Sequence, residues 1–303
     1  NSEDKAMVVN KNIFKNAYWF VKASLTLDVG FLKVSKWSLA KKFQFIFIKY
    51  LEIVCLVLGT HRFKLGESHI DLFGKKIFYD SPYGIAGYQS MLVRHQKMIL
   101  ENNITNVHTI VDVGANVGFF SMMVRDLFPK SNIYSIEPVP QIFECLKKNL
   151  NDALSSVFNL AISNTNAKVK MSFKRDESAF SHVVRNSEID KSPESEIMDV
   201  EAVTLDTFCS RNGINNIDIL KIDTESFELE VLEGAGETLT KTRLLHIEIS
   251  IKGNDKYTFS QINSLLFSAK YNFQLVAFRN FTDKGDGPIP VGDFLYENLM
   301  FKY

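Results

Sequence analysis

The stretch Thr109–Pro138, TIVDVGANVGFFSMMVRDLFPKSNIYSIEP, limits what this chain can fold into more than any other. Ile110, Val111 and Val113 are β-branched and apolar without alternation, the pattern of a parallel strand covered on both faces. The strand stops at Gly114. Between Gly114 and Gly118 the backbone must turn sharply and leave room for a close neighbour, and two residues without Cβ permit both. A helix is expected over Val117–Phe128, with its first-turn amides pointing back at the loop and Pro129 ending it. A second strand, Asn132–Ile136, carries Glu137 at its carboxyl end, where a carboxylate can accept two hydrogen bonds from a ribose diol. The unit reads as a βαβ half-turn with a nucleoside-containing cofactor at its tip.

Spacing separates the nucleoside cofactors. A dinucleotide fingerprint requires G-x-G-x-x-G so that a pyrophosphate can sit against the helix N-terminus, and here Asn116 occupies the place of the middle glycine. Asp112, just before the turn, would repel a pyrophosphate but suits the ammonium and sulfonium of S-adenosylmethionine. The residues therefore favour adenosylmethionine over a nicotinamide dinucleotide. A turn whose glycines only relieve packing would leave Asp112, Asn116 and Glu137 without a role.

The rest of the chain frames this unit. Its 303 residues and 46% hydrophobic content suffice for one large α/β domain plus an appendage. Formal net charge is zero, so no global field recruits nucleic acid. The three cysteines, Cys55, Cys145 and Cys209, are far apart and read as reduced thiols of a cytoplasmic protein. The six histidines show no zinc spacing, so no structural metal is expected; divalent binding by Asp223 and its neighbours stays open. Three segments are expected: a basic, aromatic helical arm over 1–60, a hairpin and helix over 61–106, and the cofactor-binding domain over 107–303. Residues 5–50 hold nine lysines and one acid, Asp28. A helix over Lys36–Leu58 places Lys41, Lys42, Gln44, Lys49 and Glu52 on one side and a broad apolar face on the other. That face is expected to pack on the domain or on a second subunit, with peripheral contact at the inner face of a membrane as the alternative.

Further along, Arg62–Asp80 reads as a hairpin turning at Gly74, and Ile85–Asn102 as a helix with Tyr88, Gln89 and His95 as weak site candidates. Leu154–Ile162 is expected as one strand, and Lys168–Phe173 is expected to extend the sheet or to form a hairpin with Met198–Val203. The polar loop between them carries His182, a candidate base. Ile217–Ile222 is expected as the central strand beside Thr109–Val113, delivering Asp223 and Glu225 to the carboxyl edge of the sheet. In the strand Leu244–Ile251 a period of two puts His246 and Glu248 on one face. Lys221, inside an apolar strand, needs a carboxylate partner, from Asp223 or Glu248. Asn272–Ala277 and Glu297–Phe301 are the closing strands, with a loop over Phe281–Gly292 bordering the mouth.

Three separated motifs, D-V-G-A-N-V-G-F-F, I-E-P-V-P and L-K-I-D-T-E-S-F-E-L-E-V-L-E-G-A, resemble in order and spacing the FkbM-type branch of the class I S-adenosylmethionine-dependent methyltransferases, over about Val107 to Ile251. One position departs: the family usually has Gly after the D-x-E pair, and this chain has Ser226. The resemblance implies an α/β fold with a doubly wound, mostly parallel seven-stranded sheet, here with a helical N-terminal extension. It also implies O-methylation of a small-molecule or glycan hydroxyl acceptor. Asp112, Gly114, Asn116, Gly118, Glu137 and Pro138 would bind cofactor, with Ala161 near the adenine. Asp223, Glu225, His246 and Glu248 are the candidate catalytic groups, any of which can serve as the base. Two other readings differ in kind. A nicotinamide-dependent oxidoreductase would need a third close glycine, and a degenerate scaffold would bind cofactor weakly or not at all.

Overall fold

The computed structural model describes residues 25, 27–35, 37–57, 67–72, 74–79, 84–174, 182–183, 195–251, 257–279 and 291–301. Seven strands build the main sheet: β3 (Thr109–Val113), β4 (Asn132–Ile136), β5 (Ser155–Phe158), β10 (Ile217–Ile222), β11 (Thr242–Ser250), β12 (Phe273–Arg279) and β13 (Val291–Asn298). Their order is β12-β13-β11-β10-β3-β4-β5. β5, β4, β3, β10 and β11 pair in parallel, and β13 is antiparallel to both β11 and β12, so six of the seven strands point one way. The expected central position of β10 beside β3 is what the structure has.

Two layers of helix cover the sheet, and the period of two along each strand decides which residue meets which layer. Ile110, Ile219 and Leu244 point into a core shared with Leu92 and Met98 of α2 (Gly84–Glu101) and Phe120 and Met123 of α3 (Phe119–Leu127). Their neighbours Val111, Leu220 and Leu245 point the other way. There they meet Leu205 and Phe208 of α5 (Leu205–Arg211), Leu232 of α6 (Glu228–Glu233) and Ile262 of α7 (Phe259–Leu266). Every residue of β10 is buried, as a central strand covered on both faces requires. A further helix, α4 (Pro140–Asn149), ties in the hairpin β1 (His69–Leu72) and β2 (Lys75–Phe78). The Asn149 side chain bonds the backbone N and O of Phe78 and the carbonyl of Val117.

Three expectations change. The strand expected over Leu154–Ile162 is split: β5 stays in the main sheet, while β6 (Ala161–Ile162) opens a four-stranded sheet of order β6-β9-β7-β8. In it β7 (Ala167–Lys174) and β9 (Ser195–Val203) form the expected antiparallel pair, and β8 (His182–Val183) carries His182 opposite Ser172. The last strand begins at Val291 rather than Glu297, because Val291–Glu297 pairs residue for residue with β11. Gly292 and Asp293 had disguised its start as loop; most of the expected mouth loop lies outside the described residues.

The largest change is in α1 (Leu39–Val57), which is turned over relative to its expected orientation. Lys42 and Lys49 are buried, whereas Leu39, Phe43, Phe47, Leu51 and Val54 are exposed. Internal partners make this affordable. Lys49 Nζ is paired with Asp28 and donates to Gln89 Oε1 at 3.1 Å, Lys42 Nζ donates to the Leu32 carbonyl, and Tyr79 donates to Glu52. Phe45, on the same side, packs against Phe31, Trp37 and Tyr88. Cys145 and Cys209 are buried, and among the described residues no helix is long and apolar enough to cross a membrane.

Candidate active site

A cavity of about 340 Å³ opens at the carboxyl ends of β3, β4 and β10, within the range of small-ligand sites. Its walls are the turn Gly114–Val117, Glu137 and Pro138, Leu160–Ile162, Asp223–Glu225, and Gly84, Gly87 and Met91 of α2. Gly114, Asn116, Glu137, Pro138, Ala161, Asp223 and Glu225 thus come together as the sequence expected. Asp112, Gly118, His246 and Glu248 do not line the cavity.

The turn is shaped by left-handed backbone at Gly114 (φ 72°), Asn116 (φ 51°) and Gly118 (φ 89°). What approaches Gly114 is protein: a Cβ there would lie 1.8 Å from the Asp223 carbonyl oxygen. Gly118 is needed for helix packing, since a Cβ would lie 2.7 Å from Leu146 Cδ1 of α4. Glu137 is buried and aimed by two backbone amides, with Asn116 N donating to Oε2 at 3.0 Å and Val139 N to Oε1 at 2.9 Å. Asn159 holds the following chain by donating to the carbonyls of Glu137 and Pro138.

Below the cavity runs a buried polar row that sheet register assembles from four strands. Ser135 pairs with Asp112, Asp112 with Lys221, and Lys221 with His246. Asp112 is fully enclosed, accepting from Ser121 Oγ at 2.7 Å and pairing with Lys221 Nζ at 3.2 Å. It therefore supports the wall instead of meeting the ammonium of a cofactor. Lys221 also pairs with Asp223 at 3.3 Å and donates to the Gly114 carbonyl at 2.7 Å, so one ammonium ties together the chain ends of β3 and β10. Burial alone would lower its pKa, but the Asp112 and Asp223 carboxylates outweigh burial and raise it, keeping the lysine charged. Asp112 is the partner that sequence reasoning missed, because parallel register brings it to Lys221 from a distant part of the chain.

Asp223, Glu225 and Glu248 form an acidic cluster with carboxylate oxygens within 4.8 Å of one another. Burial, then the charges of Asp223 and Glu225, hold the Glu248 carboxyl well above its usual pKa. Glu225 and Ser226 both adopt positive φ, 50° and 77°. Glu228, also missed by sequence reasoning, holds this loop: its Oε1 accepts from Thr224 N and Ser226 N, and its Oε2 from the Tyr257 hydroxyl at 2.6 Å. His246 lies on the same face of β11 as Glu248 but deeper, 3.0 Å from His95 Nδ1 and stacked on Phe120. Burial, then His95, depresses its pKa well below the usual histidine range. The weak candidates Tyr88 and Gln89 belong to the packing of the arm.

The model of the methyltransferase FkbM domain matches residues 112–275, more than half of the chain. Three curated relatives are similar over about half of the chain. Methyltransferase sdnD of Sordaria araneosa is 28% identical over 54% of this chain and 68% of its own length. The 2-O-methyltransferase NoeI of Sinorhizobium fredii is 27% identical over 46% of this chain and 63% of its own. Hexuronic acid methyltransferase AglP of Haloferax volcanii is 25% identical over 54% of this chain and 63% of its own. The chain thus spans about two thirds of the length of these three relatives.

The cavity residues fit S-adenosylmethionine, the cofactor that the sequence motifs imply. Ile136, Ile142, Leu160, Ile162 and Met171 give the cavity the apolar lining that a flat base requires. Glu137 offers an oriented acceptor for ribose hydroxyls, and Asp223 brings negative charge to the wall for an ammonium. With the motif turn, the acid after β4 and the D-x-E loop after β10 converging on one cavity, and the family model covering residues 112–275, the chain belongs to the methyltransferase FkbM domain family.

Proposed function

We propose that the protein methylates a hydroxyl oxygen of a sugar or another polyhydroxylated small molecule, with Glu225 as the general base. The observation that carries this reading is the placement of Asp223 and Glu225 on the wall of the same cavity as Glu137. Bound there, S-adenosylmethionine supplies a methyl group activated by its sulfonium. The chain's own residues position the acceptor and remove its proton, and the base contributes typically ~10²- to 10⁴-fold. Asp223 is committed to Lys221 and serves as fixed negative charge, which leaves Glu225 to take the hydroxyl proton. Similarity to a 2-O-methyltransferase and to a hexuronic acid methyltransferase supports a sugar-type acceptor.

The test joins calorimetric titration with S-adenosylhomocysteine to transfer of labelled methyl to a panel of sugars and uronic acids. Glu137→Ala should weaken binding by about 1.5–3 kcal/mol for each charged hydrogen bond lost. Glu225→Gln should leave binding in place and lower turnover by about 10²-fold or more. Binding without transfer to any hydroxyl would sink the O-methylation reading, and absence of binding would favour a scaffold.

A further inference from the structure

We propose that His95, His246 and Asp293 form a binding site for a divalent transition-metal ion of the zinc class, which clips α2 to β11 and β13. The two histidines are 151 positions apart in sequence, so no motif spacing announces the site. The fold brings His95 Nδ1 to 3.0 Å from His246 Nε2, and Asp293 Oδ1 to 3.9 Å from each. By trigonometry, a triangle of these sides has its centre about 2.1 Å from all three corners, the bond length of zinc to imidazole nitrogen and carboxylate oxygen. All three side chains are buried, and each comes from a different element, so their donor atoms are held by the packing.

The donor set is selective. Two imidazoles and one carboxylate suit zinc, cobalt, nickel or ferrous iron and disfavour magnesium and calcium, which take oxygen ligands. The same helix carries Gly84, Gly87 and Met91 to the cavity wall, so an ion here fixes one wall of the active site without entering it.

The experiment uses the full chain treated with chelator and titrated with Co²⁺, followed by visible absorption and then by displacement with Zn²⁺. One equivalent per chain is expected, with a d–d spectrum of a nitrogen-ligated ion and a rise in melting temperature on Zn²⁺ addition. His95→Gln and Asp293→Asn should each weaken uptake by at least tenfold, while Glu225→Gln, in the separate acidic cluster, should not. Failure of the wild-type chain to take up Co²⁺ overturns the proposal, as does uptake that Glu225→Gln abolishes and His95→Gln spares. If the variants do not fold, X-ray absorption of the Co²⁺-loaded wild-type chain decides: two imidazoles in the shell are expected, and an all-oxygen shell refutes the site. None of these readouts depends on methyl transfer.

Discussion

Ser226 sits at φ 77°, a conformation that costs a residue with a Cβ about 1–3 kcal/mol and costs glycine almost nothing. That accounts for the glycine usual in this family after its D-x-E pair. The strain is held by Glu228, whose buried carboxylate accepts from the amides on either side of Glu225. Ser226→Gly should stay within about 1 kcal/mol of wild type, since relief of strain is offset by the greater freedom of glycine in the unfolded chain. Ser226→Val should destabilise by about 1–3 kcal/mol, because a β-branched side chain is worse still at positive φ. Urea denaturation of the three proteins measures the difference. Equal midpoints for valine and serine would mean that the loop relaxes out of the left-handed region and is not held by Glu228.

At the scale of elements, α1 is where helical periodicity misleads. A period of 3.6 divides a helix into two faces but does not say which one meets the core, and the apolar face is the usual choice. Here Asp28, Gln89 and the Leu32 carbonyl, all outside the helix, satisfy Lys49 and Lys42 and draw the polar side inward. Two phenylalanines two residues apart separate the orientations. Phe45 is fully enclosed and Phe47 is 69% exposed. Phe45→Ala should therefore cost about 3–5 kcal/mol and Phe47→Ala no more than about 0.5 kcal/mol. The opposite ranking in thermal or chemical denaturation would restore the orientation that periodicity alone suggests. Elsewhere the local signal sufficed: β10 falls on the residues that its pattern marked, because a mostly apolar, β-branched run is written locally.

At the scale of the molecule, what could be read from the sequence was the part in which neighbours in space are neighbours in the chain. The turn 114–118 and Glu137 are of this kind. The Asp112–Lys221 pair, the Ser135-to-His246 row and the His95–His246 contact depend on strand order and register, which no local pattern encodes. The same long-range assembly makes the cavity a junction. Met91 and Phe120 reach it from one helical layer, and Val113, Ile136 and Ile162 from the opposite core. A ligand held between them should stabilise both layers together. S-adenosylhomocysteine at a hundredfold excess over its Kd should add about 2.7 kcal/mol to the unfolding free energy, and Glu137→Ala should need a higher concentration for the same gain. The chain has two tryptophans, so a Trp19→Phe background leaves Trp37, beside Phe31 and Phe45, as the sole indole. Its fluorescence then reports on the arm-side layer, while far-UV circular dichroism reports on the whole. Equal ligand-induced shifts of the two melting midpoints would show one cooperative unit that includes the arm. A fluorescence midpoint that stays put while the dichroism midpoint rises would mean that the arm-side layer unfolds on its own, and that the cavity draws its stability from the sheet and the layer formed by α5, α6 and α7.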